Sequence, residues 1–328
     1  MRIAMLQPHD SVPSIFSEKA LKRLEKIGEV VRNPGTASDE NVKKTIEGAD
    51  IAITSWGNTT LHADILDAAP NLRLIVHAAG SIKPIVCDAV WERGIRVTGS
   101  PKPLGIGVAE TALGFTISAA KNYYNLNASL HNGGWGEGKE NIRELYDLTV
   151  GVIGAGWAGG HYLRLMQNFD VETLLYDPYC SKEKAAVLHT TLADLETVLR
   201  KSDIISIHAP SIPETNNMFN RDTLAMMKKD AILINTARGS IINEADLYAH
   251  MKAGNLKYAC IDVFNPEPPA VDNPLRTLPN VIMTPHLAGL AANGKLRIGM
   301  HAAEEIEKFL AGEKMDCEAT RAMLATMA

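Results

Sequence analysis

The sequence predicts an α/β protein of two doubly wound parallel-sheet domains, one inserted into the other. Short apolar segments alternate with amphipathic segments over residues 1–100, the alternation resumes at Thr149, and a long apolar stretch separates the two series. Strands that alternate with helices form parallel sheets covered on both faces. We therefore expect residues 1–102 and 291–328 to form an outer domain and residues 103–290 to form the inserted domain.

The first series supplies the outer domain. Its predicted strands are residues 3–6, 29–32, 50–54, 72–77 and 96–98, and its predicted helices are residues 18–27 and 61–68. Pro101 and Pro103 follow, and residues 107–130 are then too long and too apolar for a surface loop. We expect one helix there, crossing between the domains. In the glycine-rich turn of residues 132–138, Trp135 is expected to pack as an anchor, with substrate contact as the alternative.

The second series begins with a strand, a turn and a helix that carry a binding motif. Apolar residues 150–153 predict a buried strand, and Gly154, Gly156 and Gly159 follow it directly. In this context GxGxxG is typical of a Rossmann-like dinucleotide site. The first glycine permits a sharp turn, the second lets a pyrophosphate approach the backbone, and the third lets the helix pack close to the strand. The N–H groups and the dipole at the helix N-terminus favour phosphate binding.

An acidic residue follows the next predicted strand, residues 172–176. Asp177 stands where a carboxylate accepts hydrogen bonds from the adenosine ribose and repels a 2′-phosphate. We therefore predict NAD, rather than NADP, as the cofactor. Further strands are predicted at 203–208, 231–235, 258–263 and 281–284, further helices at 193–200, 221–227 and 244–253, and a last helix from about 290 to 310 that returns to the outer domain.

Composition and charge argue against several classes of protein. The 328 residues are 46% hydrophobic and 22% charged, as in ordinary soluble proteins, and the net charge of −5 offers no basic field for nucleic acid or an anionic membrane. We see no apolar run near the ~20 residues of a membrane span and no secretory signal. Four cysteines (Cys87, Cys180, Cys260 and Cys317) show neither CxxC nor metal-ligand spacing, so we expect reduced thiols, no metal and a cytoplasmic location.

Three polar residues follow predicted strands of the inserted domain: Arg238, Glu267 and His286. In open parallel sheets, ligands bind at the carboxyl ends of strands, so all three can face the cofactor. Arg238 can bind a substrate carboxylate in a fork, and His286 can give or take a hydroxyl proton. Glu267, if hydrogen-bonded to the imidazole, would fix its tautomer and favour its protonated form. Each residue alone also has a structural explanation, but together they suit hydride transfer on a 2-hydroxy acid.

The sequence resembles the D-isomer-specific 2-hydroxyacid dehydrogenase family over nearly its whole length. The resemblance is carried by ordered blocks: GVAET, GVIGAGWAG, SDIISIHAP, MKKDAILINTARGSIINEADL, DVFNPEP and TPHLAG. It implies that Arg238, Glu267 and His286 are the catalytic trio. It also implies a homodimer and a cofactor surface formed by Trp157, Ala158, Asp177, His208, Pro210, Thr215, Thr236 and Asp262.

The same resemblance implies that the substrate carboxylate meets backbone amides of a loop in the outer domain. Here that loop is HAAGSIKP, in which Ala79, Gly80 and Ser81 are expected to bind substrate together with Arg238 and His286. Ile82-Lys83-Pro84 departs from the family's usual acidic continuation, which puts the substrate in doubt. Lys83 is expected to be a solvated residue at a helix start, with an extra anion contact as the alternative.

Two classes of function follow. The first is an NAD-dependent oxidoreductase for a small 2-keto or 2-hydroxy acid, with glyoxylate or hydroxypyruvate favoured. Phosphoglycerate is less favoured because the chain ends at residue 328 without an added regulatory domain, and formate fits poorly because that branch of the family has an amide in place of Glu267. The second is an NAD-sensing corepressor-like binding protein, against which the lack of long charged or disordered tails argues.

Overall fold

The computed structural model describes residues 1–327, which divide into two compact units. The first unit comprises Met1–Leu104 and Leu290–Ala328, and the second comprises Gly105–Gly289. The strands are β1 Arg2–Met5, β2 Glu29–Arg32, β3 Ile51–Thr54, β4 Leu74–His77, β5 Arg96–Thr98, β6 Leu148–Ile153, β7 Val171–Tyr176, β8 Thr191–Leu192, β9 Ile204–Ile207, β10 Ala231–Asn235, β11 Leu256–Ile261, β12 Val281–Met283 and β13 Glu318–Ala319. The prediction of two parallel-sheet α/β domains is confirmed.

The helices precede, connect and follow these strands. They are α1 Val12–Ile15, α2 Glu18–Ile27, α3 Asp39–Ile46, α4 Ala63–Leu66, α5 Asp88–Glu92, α6 Pro101–Ala120, α7 Tyr123–His131, α8 Trp157–Met166, α9 Lys182–Val187, α10 Leu195–Lys201, α11 Arg221–Ala225, α12 Glu244–Lys252 and α13 Ala292–Leu310. Several begin with a side chain that accepts a backbone N–H of the first turn, as the capping preferences of serine, aspartate and asparagine dictate. These caps are Ser17, Ser38, Ser181, Asp194, Asn220 and Asn243.

The sheet of the first unit has the strand order β13-β5-β4-β3-β1-β2. Its strands are parallel except for β13, which pairs antiparallel with β5. Residues of α3 and α4 such as Val42 and Ile65 cover one face, and residues of α13 such as Ile298 and Ala302 cover the other. The carboxyl ends of β1, β3 and β4 therefore share one edge of a sheet buried on both faces.

The sheet of the second unit is parallel, with the order β12-β11-β10-β9-β6-β7-β8. Helices α10, α11 and α12 pack on one face, and α6 and α8 pack on the other through residues such as Phe115 and Leu163. Strand order reverses on the two sides of β6, so the glycine turn after β6 lies at the switch point where such sheets bind ligands.

The long apolar stretch differs from its prediction. It forms two helices because Asn122, at φ +57°, takes the left-handed conformation and ends the helical path between α6 and α7. Helix α6 also begins at Pro101, since proline suits a first helical turn where its missing N–H has no partner to lose. Shorter elements that we did not predict include α3, α5, α9, β8 and β13.

The expectation that no apolar segment approaches the length of a membrane span is wrong for helix α6. By length and composition alone it could cross a membrane, with a mean hydropathy of 1.2 over its best 18 residues. Its Ala109, Ala112, Phe115 and Ala119 are buried in the core of the second unit. The same apolar composition therefore fits a helix that packs against a sheet.

Two predictions about single side chains are wrong. Trp135 does not anchor its turn, because 82% of its surface is exposed and Lys139 Nζ lies 5.5 Å from its ring centroid. Lys83 is not at a helix start, because it lies half-buried in a turn and α5 begins at Asp88.

One group of potential metal ligands is present in the first unit. His301, Glu305 and Asp316 each bring a ligand atom within 4.8 Å of the others. The Glu305 carboxylate already accepts three hydrogen bonds, and Asp316 forms 2.6 Å ion pairs with Lys102 and Lys308. The carboxylates are thus neutralised by the protein's own cations and donors.

Candidate functional site

The glycine turn after β6 has the shape that the motif predicts. Gly154 has φ +90°, a left-handed conformation that a side chain would disfavour. A Cβ on Gly159 would lie 2.0 Å from Gly154 O, so only glycine allows α8 to pack this close to the turn. A Cβ on Gly156 would meet nothing within 4 Å, which leaves open space beside the backbone at the start of α8.

The start of α8 and the end of β7 meet at this turn. Gly156 is the N-cap of α8 and contributes no side-chain cap, and Trp157 and Ala158 begin the helix. Asp177 Oδ2 accepts the Ala155 N–H at 2.8 Å, and its Oδ1 accepts the Tyr179 N–H at 2.9 Å. The carboxylate predicted to meet the ribose thus also holds the glycine turn in place.

Two buried polar atoms after β9 and within the turn after β10 have no partner among residues 1–327. They are His208 Nδ1 and Thr236 Oγ1. His208 Nε2 pairs with Ser206 Oγ at 2.9 Å, and burial lowers the pKa of His208 to about 3, so the ring is neutral. A buried polar atom without a partner costs about 1–3 kcal/mol, so both atoms suit a polar ligand at this edge of the sheet.

Pro210 and Thr215 form the loop that follows β9. The Thr215 hydroxyl donates to Pro210 O at 2.7 Å and accepts the Ile212 N–H at 3.0 Å. Thr215 is buried, so its hydroxyl serves to shape this loop.

Asp262, after β11, holds the segment that carries His286. Its Oδ1 accepts the Thr284 hydroxyl at 2.5 Å and the Leu287 N–H at 3.0 Å, and its Oδ2 accepts the Ala288 N–H at 2.9 Å. Its backbone oxygen accepts the His286 N–H at 2.7 Å. Asp262 is fully buried and these donors occupy both carboxylate oxygens, an anchoring role that the motif alone did not reveal.

His286 and Glu267 form the predicted pair. His286 Nδ1 lies 2.6 Å from Glu267 Oε2, and Glu267 Oε1 accepts the Phe264 N–H at 2.9 Å. The pair orients the imidazole so that its Nε2 faces away from the carboxylate, and about half of the His286 side chain is exposed. His286 has φ +50°, a conformation that is costly for a non-glycine residue and that the Asp262 contacts maintain.

Arg238 lies beside this pair. Gly239 packs directly on the Phe264 backbone, which brings the turn after β10 next to the segment bearing Glu267. Asn235 holds the turn, since its side chain accepts the Ala237 N–H and donates to Arg238 O, each at 3.0 Å. Sequence reasoning missed Asn235, although an asparagine at a strand end is a signal for such a turn.

The Arg238 guanidinium has no acidic partner at ion-pair distance among residues 1–327. Its one hydrogen bond runs from Nη1 to Ala237 O, at 2.7 Å. Burial lowers the pKa of Arg238, and the nearby Glu267 charge opposes that effect. A half-buried cation with four unused N–H donors is suited to bind an anion such as a carboxylate.

The predicted substrate loop lies in the first unit, after β4. His77 Nδ1 pairs with the Thr54 hydroxyl at 3.0 Å, and a backbone hydrogen bond with Ser81 links the same histidine to the loop. The Ala79 N–H donates to His77 O at 2.8 Å, whereas the Gly80 N–H has no partner among the described residues. Gly80 is therefore the best amide donor of the three predicted positions.

The donors and acceptors of the second unit fit a nicotinamide dinucleotide. The open glycine turn and α8 N-terminus suit a pyrophosphate, Asp177 suits a ribose, and the unpartnered His208 and Thr236 atoms suit polar groups further along the sheet edge. NAD, when bound there, supplies or accepts a hydride.

Comparison with known proteins agrees with this geometry. Residues 113–288 match the family model for the NAD-binding domain of D-isomer-specific 2-hydroxyacid dehydrogenases. The chain is 37% identical over 297 residues to D-3-phosphoglycerate dehydrogenase of Methanocaldococcus jannaschii, covering 90% of this chain and 56% of that protein. It is 32% identical to hydroxypyruvate reductase of Thermotoga maritima, covering 83% of this chain and 88% of that protein.

The fold recurs in solved structures. A crystal structure of a protein from Thermus thermophilus superposes with a TM-score of 0.77 at 28% identity, covering 98% of this chain and all of that one. The chain spans about half the length of the phosphoglycerate dehydrogenases that it matches. The family match, the glycine turn and the Arg238, Glu267 and His286 arrangement agree, and the chain belongs to the D-isomer-specific 2-hydroxyacid dehydrogenase family, with NAD as the cofactor of its second unit.

Proposed function

We propose that this protein is an NAD-dependent dehydrogenase that interconverts a small D-2-hydroxy acid and its 2-keto acid, with a glyoxylate- or hydroxypyruvate-like substrate favoured. The observation that carries the proposal is the unpaired Arg238 guanidinium beside the hydrogen-bonded Glu267 and His286 pair. A carboxylate bound to Arg238 places the adjacent keto group near a histidine able to transfer a proton.

Each member of the trio has a separate task. Arg238 binds the carboxylate and polarises the keto oxygen as negative charge develops on it. His286, protonated in the reductive direction, donates its Nε2 proton to that oxygen. Glu267 positions the ring through Nδ1 and stabilises the imidazolium.

Two relatives support different substrates within the same class. The Methanocaldococcus relative is named for 3-phosphoglycerate and the Thermotoga relative for hydroxypyruvate. The test is to mix the protein with NADH and, separately, glyoxylate, hydroxypyruvate, pyruvate and 3-phosphohydroxypyruvate, and to follow NADH absorbance. If 3-phosphohydroxypyruvate is reduced fastest, it replaces glyoxylate and hydroxypyruvate as the favoured substrate. NADH binding without turnover of any keto acid would favour a dinucleotide-sensing, corepressor-like protein.

We also propose a homodimer through the second unit and a cytoplasmic location. The segment 123–146 presents large apolar side chains to solvent, more than a monomeric surface usually exposes in one segment. These are Tyr123, Leu130, Trp135, Ile142 and Tyr146. Light scattering at micromolar concentration should give twice the chain mass, and a monomer mass would refute the dimer. The four thiols are unpaired, which suits a reducing compartment.

A further inference from the structure

Lys257, in β11 of the second unit, is a half-buried lysine whose amine is held by backbone carbonyls. Its Nζ donates to Ala120 O at 3.3 Å and to Asn141 O. Within residues 1–327, no carboxylate forms an ion pair with this Nζ. Its hydrogen-bond partners are therefore neutral, and they stabilise a positive charge less than an acidic partner would.

The surroundings of Lys257 favour the neutral amine. Burial and, to a smaller extent, the nearby Arg143 cation lower the pKa of Lys257 to about 8, although the Asp230 carboxylate opposes them. Arg143 is fixed in the same unit, because its Nη2 donates to Asp230 O at 2.8 Å and its Nη1 lies 3.9 Å from Asp203 Oδ1. A lysine that is desolvated next to another cationic group is activated as a nucleophile.

The two hydrogen bonds also orient the amine. A neutral amine has two N–H donors and one electron pair, and the carbonyl oxygens of Ala120 and Asn141 can accept both N–H groups. The electron pair then occupies the remaining tetrahedral position, and the contact with Asn141 lies at the protein surface. The structure thus combines an activated amine, a fixed geometry and access from solvent.

We propose that Lys257 is a modification site that accepts an acyl group from an acyl thioester. The electron pair of Nζ attacks the thioester carbonyl carbon and forms a C–N bond. The C–S bond breaks, the thiolate leaves with its electron pair, and the nitrogen loses one proton to water. The product is a neutral amide, and the step needs neither an oxidant nor a reductant. This inference is independent of the proposed dehydrogenase function.

Acylation would also weaken a closure of the chain around α7. Lys257 bridges Ala120 and Asn141, which flank residues 121–140, and the Arg143 N–H donates to the same Ala120 O at 2.9 Å. An acylated lysine is uncharged and keeps a single N–H, so it can hold only one of the two carbonyls. The ends of residues 121–140 then lose one of the contacts that join them.

The first test follows acetylation of each lysine by mass spectrometry while the protein is incubated with acetyl-coenzyme A at about pH 8. Lys121 is the matched internal comparison, because it directly follows Ala120 and its Nζ pairs with Glu144 Oε1 at 3.2 Å. We expect Lys257 to be acetylated about tenfold faster than Lys121, with a rate that levels off above about pH 8. Acetylation of Lys257 at the same rate as Lys121, or more slowly, would overturn the proposal.

The second test measures hydrogen exchange of the Arg143 N–H. Acetylation of wild type and the substitution Lys257→Gln should each speed this exchange about fivefold, because a bridging hydrogen bond is lost. Lys257→Arg keeps a charged donor, so it should exchange like untreated wild type with or without acetyl-coenzyme A. Lys121→Gln is the control for loss of charge, since an exposed ion pair contributes little to stability.

Two results of this second test would contradict the proposed closure. If wild type acetylated at Lys257 exchanges the Arg143 N–H at the untreated rate, the amine does not hold the ends of residues 121–140 together. If Lys257→Arg gains the same increase on acetylation, another lysine is responsible. The acetylation rates in wild type test the modification site even if Lys257→Gln fails to fold.

Discussion

Replacing Asp262 with asparagine tests whether this residue acts through the His286 segment or through the cofactor. In the structure its two carboxylate oxygens accept hydrogen bonds from Thr284, Leu287 and Ala288. An asparagine keeps one acceptor oxygen and places an NH₂ group against a donor. If the amide oxygen keeps the hydrogen bonds from Thr284 and Leu287, the buried Ala288 N–H loses its partner. The two remaining hydrogen bonds then have a neutral acceptor in place of a charged one.

The expected magnitude follows from these contacts. A lost charge-assisted hydrogen bond together with an unsatisfied buried N–H costs about 3 kcal/mol, which corresponds to a fall in Tm of roughly 6–12 °C for a unit of this size. The left-handed backbone at His286 also loses part of its support. A displacement of the imidazole by about 1 Å lowers the rate about 100-fold, so kcat for keto-acid reduction should fall by about that factor.

Thermal unfolding, steady-state kinetics and fluorescence titration with NADH separate the two roles. We expect lower Tm and kcat with an essentially unchanged Kd for NADH. Asp194→Asn is the matched control, because Asp194 caps α10 by accepting the Thr197 N–H and asparagine caps a helix equally well. A variant as stable as wild type whose only defect is weaker NADH binding would refute the anchoring role and support a direct contact with the cofactor.

Three further predictions concern the proposed chemistry. Glu267→Gln replaces the carboxylate that lies 2.6 Å from His286 Nδ1 with a neutral amide, so kcat for keto-acid reduction should fall while the Kd for NADH stays unchanged; an unchanged kcat would show that Glu267 is not the functional partner of His286. Arg238→Lys keeps the charge but loses the fork, so KM should rise and kcat should fall together, and an unchanged kcat would restrict Arg238 to ground-state binding. Asp177→Ala should narrow the preference for NADH over NADPH, because it removes both a ribose acceptor and a repulsive charge; equal use of the two cofactors by wild type would contradict this assignment.

Much of the architecture follows from local sequence signals. Alternating apolar and amphipathic segments predict parallel strands and covering helices because burial on both faces selects apolar strands. The Gly154, Gly156 and Gly159 spacing predicts the shape of the turn, because the absence of a side chain permits backbone conformations and close contacts that other residues do not. The positions of Arg238, Glu267 and His286 after predicted strands suggested one set, and the resemblance of ordered blocks then implied that they are the catalytic trio.

Other features required the tertiary structure, because they depend on contacts between segments distant in the chain. The helix break at Asn122 and the exposure of Trp135 depend on what packs nearby, which composition does not report. Whether Asp262 faces a cofactor or anchors the His286 segment depends on donors more than 20 residues away. The sequence by itself determined the two-sheet fold, the family and the candidate trio. Only the tertiary structure decided which polar groups are satisfied, because a hydrogen bond depends on distance and burial in three dimensions, and so it alone exposed the unpaired Arg238 guanidinium and the carbonyl-bound amine of Lys257.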